Sequence, residues 1–291
     1  MKKIAIATDS NAGIRQAEAK DLGIFVLAMP FYIDKNEYYE DISLTQEQFY
    51  QKLAENVDIS TSQPTPGHVM DFWQQILNLG FDEVVYLPMS SGLSSSCQSA
   101  EMLARNFDGK VQVVDNQRIS LTLQQSILDA LTLANAGYDA KAIKEKLEET
   151  KHDQTIYISL ETLYYLKKGG RITPAAAAIG TMLNLKPVLQ IQGGKLDAYA
   201  KAHGMKAARM TMIKAIQHDL DTRFKEWDSK GETQLGISYS GVDMTAPNDW
   251  KEQVQKAFPG RSIYMAPLSL SISCHIGPGA LAITETRILK P

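Results

Sequence analysis

Hydroxyl side chains gather where the chain is expected to turn. Thr8-Asp9-Ser10 follows a first apolar run, Ser60-Thr61-Ser62-Gln63-Pro64 leads into Pro66, and Ser90-Ser91-Gly92-Leu93-Ser94-Ser95-Ser96 follows a run ending at Pro88. In open α/β sheets the ligand crevice lies outside the carboxyl ends of the strands. Helices starting after the last two turns would present free amide N–H groups and the positive end of a dipole to an anion. Hydroxyl donors beside them would complete a carboxylate site without a fixed positive charge. Taken singly, each turn reads first as an ordinary helix N-cap. Two such turns in one half of the chain shift the balance toward a shared anion site.

Two further segments carry groups able to act on an anion. Tyr164-Tyr165-Leu166-Lys167-Lys168-Gly169-Gly170-Arg171-Ile172 ends a helix in paired glycines, and its cations suit a helix C-terminus. Arg171, just past the turn, could instead reach an anion. Cys274-His275-Ile276-Gly277-Pro278-Gly279-Ala280 reads as a tight turn before a strand. His275 could simply cap it, and spacing alone assigns it no role.

The missing motifs are equally informative. Gly193-Gly194-Lys195 is followed by Leu196, where a phosphate-binding loop needs a hydroxyl for Mg²⁺. No G-x-G-x-x-G follows an expected strand. Gly236-Ile237-Ser238-Tyr239-Ser240 fails the nucleophile-elbow pattern at its fifth residue. No His, Cys, Asp or Glu cluster has metal-ligand spacing. The sequence thus shows no motif for hydrolysis or group transfer by this chain alone, and no cofactor is expected.

The elements that must position these groups alternate along the first half. Strands are expected at 4–8, 24–29, 83–87 and 111–114, the second stopped by Pro30. Thr45-Gln46-Glu47-Gln48 is a capping box opening a helix to about residue 55. Val69, Phe72, Trp73, Ile76 and Leu77 have helical spacing, with Gly80 as a stop. Further helices are expected at 93–107, 120–135 and 139–150. The alternation predicts an N-terminal doubly wound, mostly parallel sheet in an α/β fold. The second half is more mixed. It has strands at 155–159, 234–238, 262–265 and 280–284, and a hairpin at 187–200 around Gly193-Gly194. Helices are expected at 162–168, 174–183, 205–227 and 248–257. Residues 1–150 are expected to form one domain and 151–291 a second, smaller α/β domain.

Bulk properties agree with two soluble domains. The chain has 291 residues, 44% of them hydrophobic and 22% charged, with a net charge of −3. That length suits two cores. The balance gives no reason to bind nucleic acid. Lys2-Lys3 before an apolar run hints at a leader, but the run ends at Asp9 and reads better as a first strand. No apolar stretch approaches the ~20 residues of a membrane span. Cys97 and Cys274 match no metal or redox spacing, and a reducing cytoplasm is expected.

Taken together, the turns resemble the DegV family, which includes fatty-acid-binding subunits of bacterial fatty acid kinases. The pieces are Thr8-Asp9-Ser10, Thr61-Ser62-Gln63-Pro64, Ser90-Ser91-Gly92-Leu93-Ser94, Gln98-Ser99-Ala100, Leu166 to Ile172, Leu185-Lys186-Pro187-Val188-Leu189 and His275 to Ala280. They occur in the family's order across nearly the whole chain. The resemblance implies two α/β domains with an acyl chain buried in a tunnel. It implies that Thr61, Ser62, Ser94 and Ser95 hold the carboxylate, with Arg171 and His275 facing the head group. It further implies a partner kinase that brings ATP and converts a palmitate-like acid to an acyl phosphate for phospholipid synthesis. Core residues such as Ile179, Met182 and Leu183 would shape the tunnel. The chain departs from the family at Ser95-Ser96-Cys97, where Gly-Thr-Tyr is usual, with an expected effect on the tunnel wall. It departs also at Asn116, at Ser120-Leu121-Thr122 and at Lys201-Ala202-His203.

Two other readings stand beside this one. A stand-alone esterase would use a serine with His275 and Asp9 as a triad. A regulatory module would bind lipid with no kinase at all.

Overall fold

The computed structural model describes residues 2–55, 57–179 and 185–291, the side chain of Ile179 excepted. Met182, Leu183 and the expected continuation of the alanine-rich helix beyond Pro174–Ile179 lie outside the described residues.

Four parallel strands form the first sheet, in the order Phe25–Leu27, Ile4–Asp9, Glu83–Leu87, Val111–Val113. The chain first adds a strand on one side of Ile4–Asp9 and later builds outward on the other. The carboxyl ends of Ile4–Asp9 and Glu83–Leu87 therefore flank a topological switch point, where loops diverge and leave a crevice. Period-two alternation sends Ala5 and Ala7 to one face, against Val69 and Trp73 of helix Pro66–Asn78 and Cys97 of helix Ser96–Ala104. Ile6 faces the opposite side, against Leu123 and Ile127 of helix Ser120–Asn135 and Ile143 of helix Ala140–Glu149. Burial on both faces is why these strands read as continuous apolar runs.

The second sheet has six strands, in the order Asp197–His203, Leu185–Ile191, Gln154–Ser159, Leu281–Arg287, Thr233–Tyr239, Ile263–Pro267. Only its last pair is parallel. Leu281 and Ile283 face Met212 and Ile216 of helix Gly204–Asp221 and Trp250 of helix Thr245–Ala257. Ile156, Ile158, Leu189 and Ala282 face the other way, toward Leu93 and Ile119 from the loops of the first sheet. Those loops meet the second sheet closely. A β-carbon on Gly92 would fall 2.8 Å from the Cα of Gly194 in the hairpin turn, so two bare backbones are packed face to face there.

Three elements differ from expectation, and the first two position the site. The strand expected to stop at Pro30 ends at Leu27, and Pro30–Ile33 is a new strand paired with Asn36–Tyr39 and Ile59–Thr61. Proline is tolerated as the first residue of a strand. Residues Ser60-Thr61 thus end a strand rather than lie in a turn. The segment around His275 is helix Leu270–Ile276, with His275 in its last turn. Leu270 and Cys274 pack on Phe31 and Phe49, while Ile276 joins the apolar cluster beneath the second sheet. That i, i+4 pairing of small and apolar side chains stabilises a helix too short to announce itself by periodicity. The long helix expected over 205–227 breaks at Thr222, and Lys225–Ser229 follows as a separate turn.

Candidate functional site

A cavity of about 170 Å³ lies between the switch-point loops and the inward face of the second sheet. Its walls are mostly apolar and include Leu93, Ile119, Ile156, Ile158, Leu166, Ile191 and Leu196. These side chains are buried. Thr61, Ser62, Ser94, Ser95, Arg171 and His275 all border the same cavity. All six are partly or fully exposed, so they mark its mouth.

Local structure explains how they converge. Thr61 ends a strand whose register places it opposite the buried Phe31. The next residues are fastened to helix Ser96–Ala104, because the Gln63 side-chain oxygen accepts from Ser95 Oγ at 3.3 Å and Ser99 Oγ at 3.2 Å. Ser62 Oγ donates to the Gln63 carbonyl at 3.0 Å. Ser94 lies in a tight turn: its N–H donates to Ser90 O, and its Oγ accepts from Ser96 N at 3.2 Å. Arg171 follows Gly170, whose left-handed backbone ends helix Tyr164–Gly169, and its guanidinium donates back to the Gly169 carbonyl.

His275 is held from both sides. Its Nε2 lies 2.7 Å from Thr61 Oγ1. Its Nδ1 lies 2.5 Å from where a β-carbon on Gly169 would sit, so only glycine fits there without moving the ring. The helix carrying it is anchored at its start, where Leu270 N donates to Glu40 Oε2 at 2.8 Å. Burial, helped by the nearby Arg171 charge, lowers the His275 pKa to about 4. At neutral pH the ring is therefore uncharged. A neutral ring can supply a hydrogen-bond donor there but no positive charge. If Nε2 carries the proton and donates to Thr61 Oγ1, the Thr61 hydroxyl proton is left for a ligand oxygen.

This shift has a measurable consequence. The unfolded state takes up a proton on His275 below about pH 6.5, whereas the folded state resists until about pH 4. The stabilising contribution is thus complete above the unfolded value and is lost as pH falls toward 4. Linkage puts the loss between pH 7 and pH 5 at about 2 kcal/mol. Buried acids with raised pKa values, such as Glu40 at about 8, act in the opposite sense. The expected result is therefore a difference: His275→Asn loses less stability than the parent between pH 7 and pH 5 in urea unfolding. Parallel pH profiles would contradict it.

The triad required by a stand-alone esterase is not assembled. Asp9 is fully buried, and its carboxylate accepts from Asn11 N, Asn11 Nδ2 and Met89 N at 2.9–3.0 Å. It ties together the loops after the two central strands of the first sheet. Among the described residues, the hydrogen-bonded neighbour of the His275 ring is Thr61, not a serine or an acid. No group of three or more His, Cys, Asp or Glu able to hold a metal occurs among the described residues. None of the described helices is long and apolar enough to cross a membrane.

Of the departing triplet, Ser95 borders the cavity, and several other lining residues go unmarked in the sequence. Cys97 does not border the cavity; it packs with Trp73 and Tyr86 under the first sheet. Asn11, Ser120, Ser238, Ser271 and Thr284 do border it. Asn11 was within reach of sequence reasoning, since it follows Thr8-Asp9-Ser10. Its side-chain oxygen accepts from Ser271 and, at 3.4 Å, from Ser269. Ser238 and Thr284 sit inside strands, and no local signal marks them as facing a cavity.

The DegV family model, described as "Uncharacterised protein, DegV family", matches residues 3–286. The chain belongs to the DegV family. A DegV domain-containing protein of Clostridium perfringens is 31% identical, over 97% of each chain. Among solved structures, a DegV family protein from Thermus thermophilus, described for its fatty acid binding, superposes with a TM-score of 0.87 at 31% identity, covering 98% of this chain and 99% of that one. A fatty acid binding DegV family protein from Streptococcus agalactiae gives 0.85 at 26% identity and 99% coverage of both chains. The mixed α/β architecture is thus that of the DegV structures.

Proposed function

We propose that this DegV protein binds a long-chain fatty acid in the cavity and presents its carboxylate to a separate ATP-dependent kinase. In this reading Thr61, Ser62, Ser94 and Ser95 receive the carboxylate, Arg171 and His275 face the reacting head group, and the alkyl tail lies among the buried isoleucines and leucines. The chain then serves as a cytoplasmic carrier subunit, and the partner supplies the nucleotide chemistry.

The observation that carries the reading is the division of one cavity into an apolar interior and a hydroxyl-lined mouth with all six residues on its border. An alkyl chain is stabilised by leaving water, roughly in proportion to the area buried. The carboxylate must remain at the mouth, because phosphoryl transfer to it depends on positioning and charge stabilisation. Arg171 supplies a fixed positive charge there, with neutral donors beside it. The fatty acid binding described for the Thermus thermophilus and Streptococcus agalactiae relatives supports the same assignment. The absence of a phosphate-binding loop in the sequence is consistent with ATP entering on a partner.

Native mass spectrometry of the purified protein is expected to show an added mass in the fatty acid range. Delipidated protein is expected to bind hexadecanoic acid saturably, and the loaded form to yield acyl phosphate with a cognate kinase and ATP. Absence of saturable binding would overturn the whole reading. Binding without acyl phosphate formation would leave a lipid-binding module and remove the carrier role.

A further inference from the structure

Three buried hydroxyls border the apolar interior. Ser238 and Thr284 project from adjacent strands of the second sheet, and Ser120 approaches from the first residue of helix Ser120–Asn135. Their exposures are 1%, 2% and 6%, respectively. Ser120 adopts a φ of 54°, a left-handed conformation unfavourable for a side chain larger than glycine's. Such conformations persist where surrounding structure demands them, often at ligand sites. Ser120 Oγ and Ser238 Oγ are 3.5 Å apart, a long contact that uses little of either hydroxyl's capacity. Among the described residues, no side-chain hydrogen bond is made by the Thr284 hydroxyl.

All three residues are buried, unlike the six at the mouth. Thr284 also borders a second cavity of about 440 Å³, lined by Leu121, Gln124, Gly236 and Tyr264, which none of the six mouth residues touches. Gly236, Leu121 and Thr284 are packed tightly there, since a β-carbon on Gly236 would fall 2.7 Å from Leu121 Cδ1 and 2.8 Å from Thr284 Oγ1. A hydrocarbon tail reaching this end would remove water from three hydroxyls and give nothing back. An unpaired buried hydroxyl is destabilising by about 1–3 kcal/mol. A tail bearing an oxygen would satisfy them.

We infer that the inner end of the cavity is a subsite for an oxygen substituent on the acyl chain, and that the preferred ligands are hydroxy fatty acids. The inference rests on the fatty acid reading and deepens it by naming the substrate class. A hydroxyl fits better than a ketone, since the cluster offers both donors and acceptors.

The test is competition between octadecanoic acid and a positional series of hydroxyoctadecanoic acids on the delipidated full-length chain, read by native mass spectrometry. At least one position is expected to outcompete the unsubstituted acid by about fivefold to tenfold, the effect of one net hydrogen bond. In the double variant Ser238→Ala, Thr284→Val that preference is expected to vanish, while the unsubstituted acid binds as well as before or better. Thr284→Ser, which keeps the hydroxyl, is expected to retain the preference. If no position is preferred, or if the preference survives in the double variant, the subsite is refuted and ordered water satisfies the cluster. Failure of every acid to bind saturably would instead overturn the fatty acid reading itself.

Discussion

Replacing Thr61 and Ser94 together by alanine is expected to weaken fatty acid binding by roughly 10²–10⁴-fold while leaving the fold intact. Hydrogen bonds to a charged group contribute about 1.5–3 kcal/mol each, and two are removed. The fold should survive because neither side chain is in a core cluster. Among the described residues, the Thr61 side chain bonds only to His275, and Ser94 Oγ accepts one bond from Ser96 N. Isothermal titration of delipidated protein with hexadecanoate measures the loss, and thermal unfolding confirms the fold. The single variants should differ in kind. Thr61→Ala also leaves His275 Nε2 without its partner inside a buried site, whereas Ser94→Ala loosens one turn. Unchanged affinity in the double variant would mean that the carboxylate sits elsewhere. Arg171 would then be the next group to test.

The hydroxyls at the mouth were legible in the sequence because they follow strand ends, and strand ends in a parallel sheet share one edge. The apolar runs that define Ile4–Asp9 and Glu83–Leu87 fix that edge, so Asp9 to Asn11 and Ser90 to Ser95 had to be neighbours. Thr61 was legible by type but not by setting. Its strand has three residues, too few for periodicity to register, and exists only by pairing with Pro30–Ile33. In the sequence His275 reads as part of a turn because Gly277-Pro278-Gly279 dominates the local pattern. The preceding helix depends on Ser269 as its cap, on Glu40 binding Leu270 N and on Phe31 and Phe49 beneath it. Of these, Glu40, Phe31 and Phe49 lie more than 200 residues away in the chain.

The inner cluster was illegible for a different reason. Ser238 and Thr284 occupy strand positions whose facing is decided by register with Ala282 and Gly236. A one-residue change of register would send the same side chains to the opposite face. Ser120 depends on a left-handed backbone that the sequence around it does not announce, since no glycine stands there. Local rules therefore mark the polar groups at the mouth of the cavity and miss those buried in its wall.

Affinity is expected to rise steeply with acyl length and then stop rising. Each buried methylene contributes ~0.8 kcal/mol, a factor of about four in affinity. From decanoic to hexadecanoic acid the gross gain is about 5 kcal/mol, and chain ordering leaves an increase of roughly 10²–10³-fold. The slope belongs to the apolar wall of Ile156, Ile158, Leu166, Ile191 and Leu196 and should be the same in the Thr61→Ala, Ser94→Ala variant. The carboxylate contribution is nearly independent of tail length, so the two plots should be parallel and offset. The length at which the plot flattens reports where the tail meets the Ser120, Ser238 and Thr284 cluster. Substituting Ala282→Phe, whose ring would project from between Ile158 and Ser238 into the cavity, should move that length several carbons shorter. A titration series in which affinity is flat with chain length would show that the alkyl tail stays outside, and the buried channel would then have no part in binding.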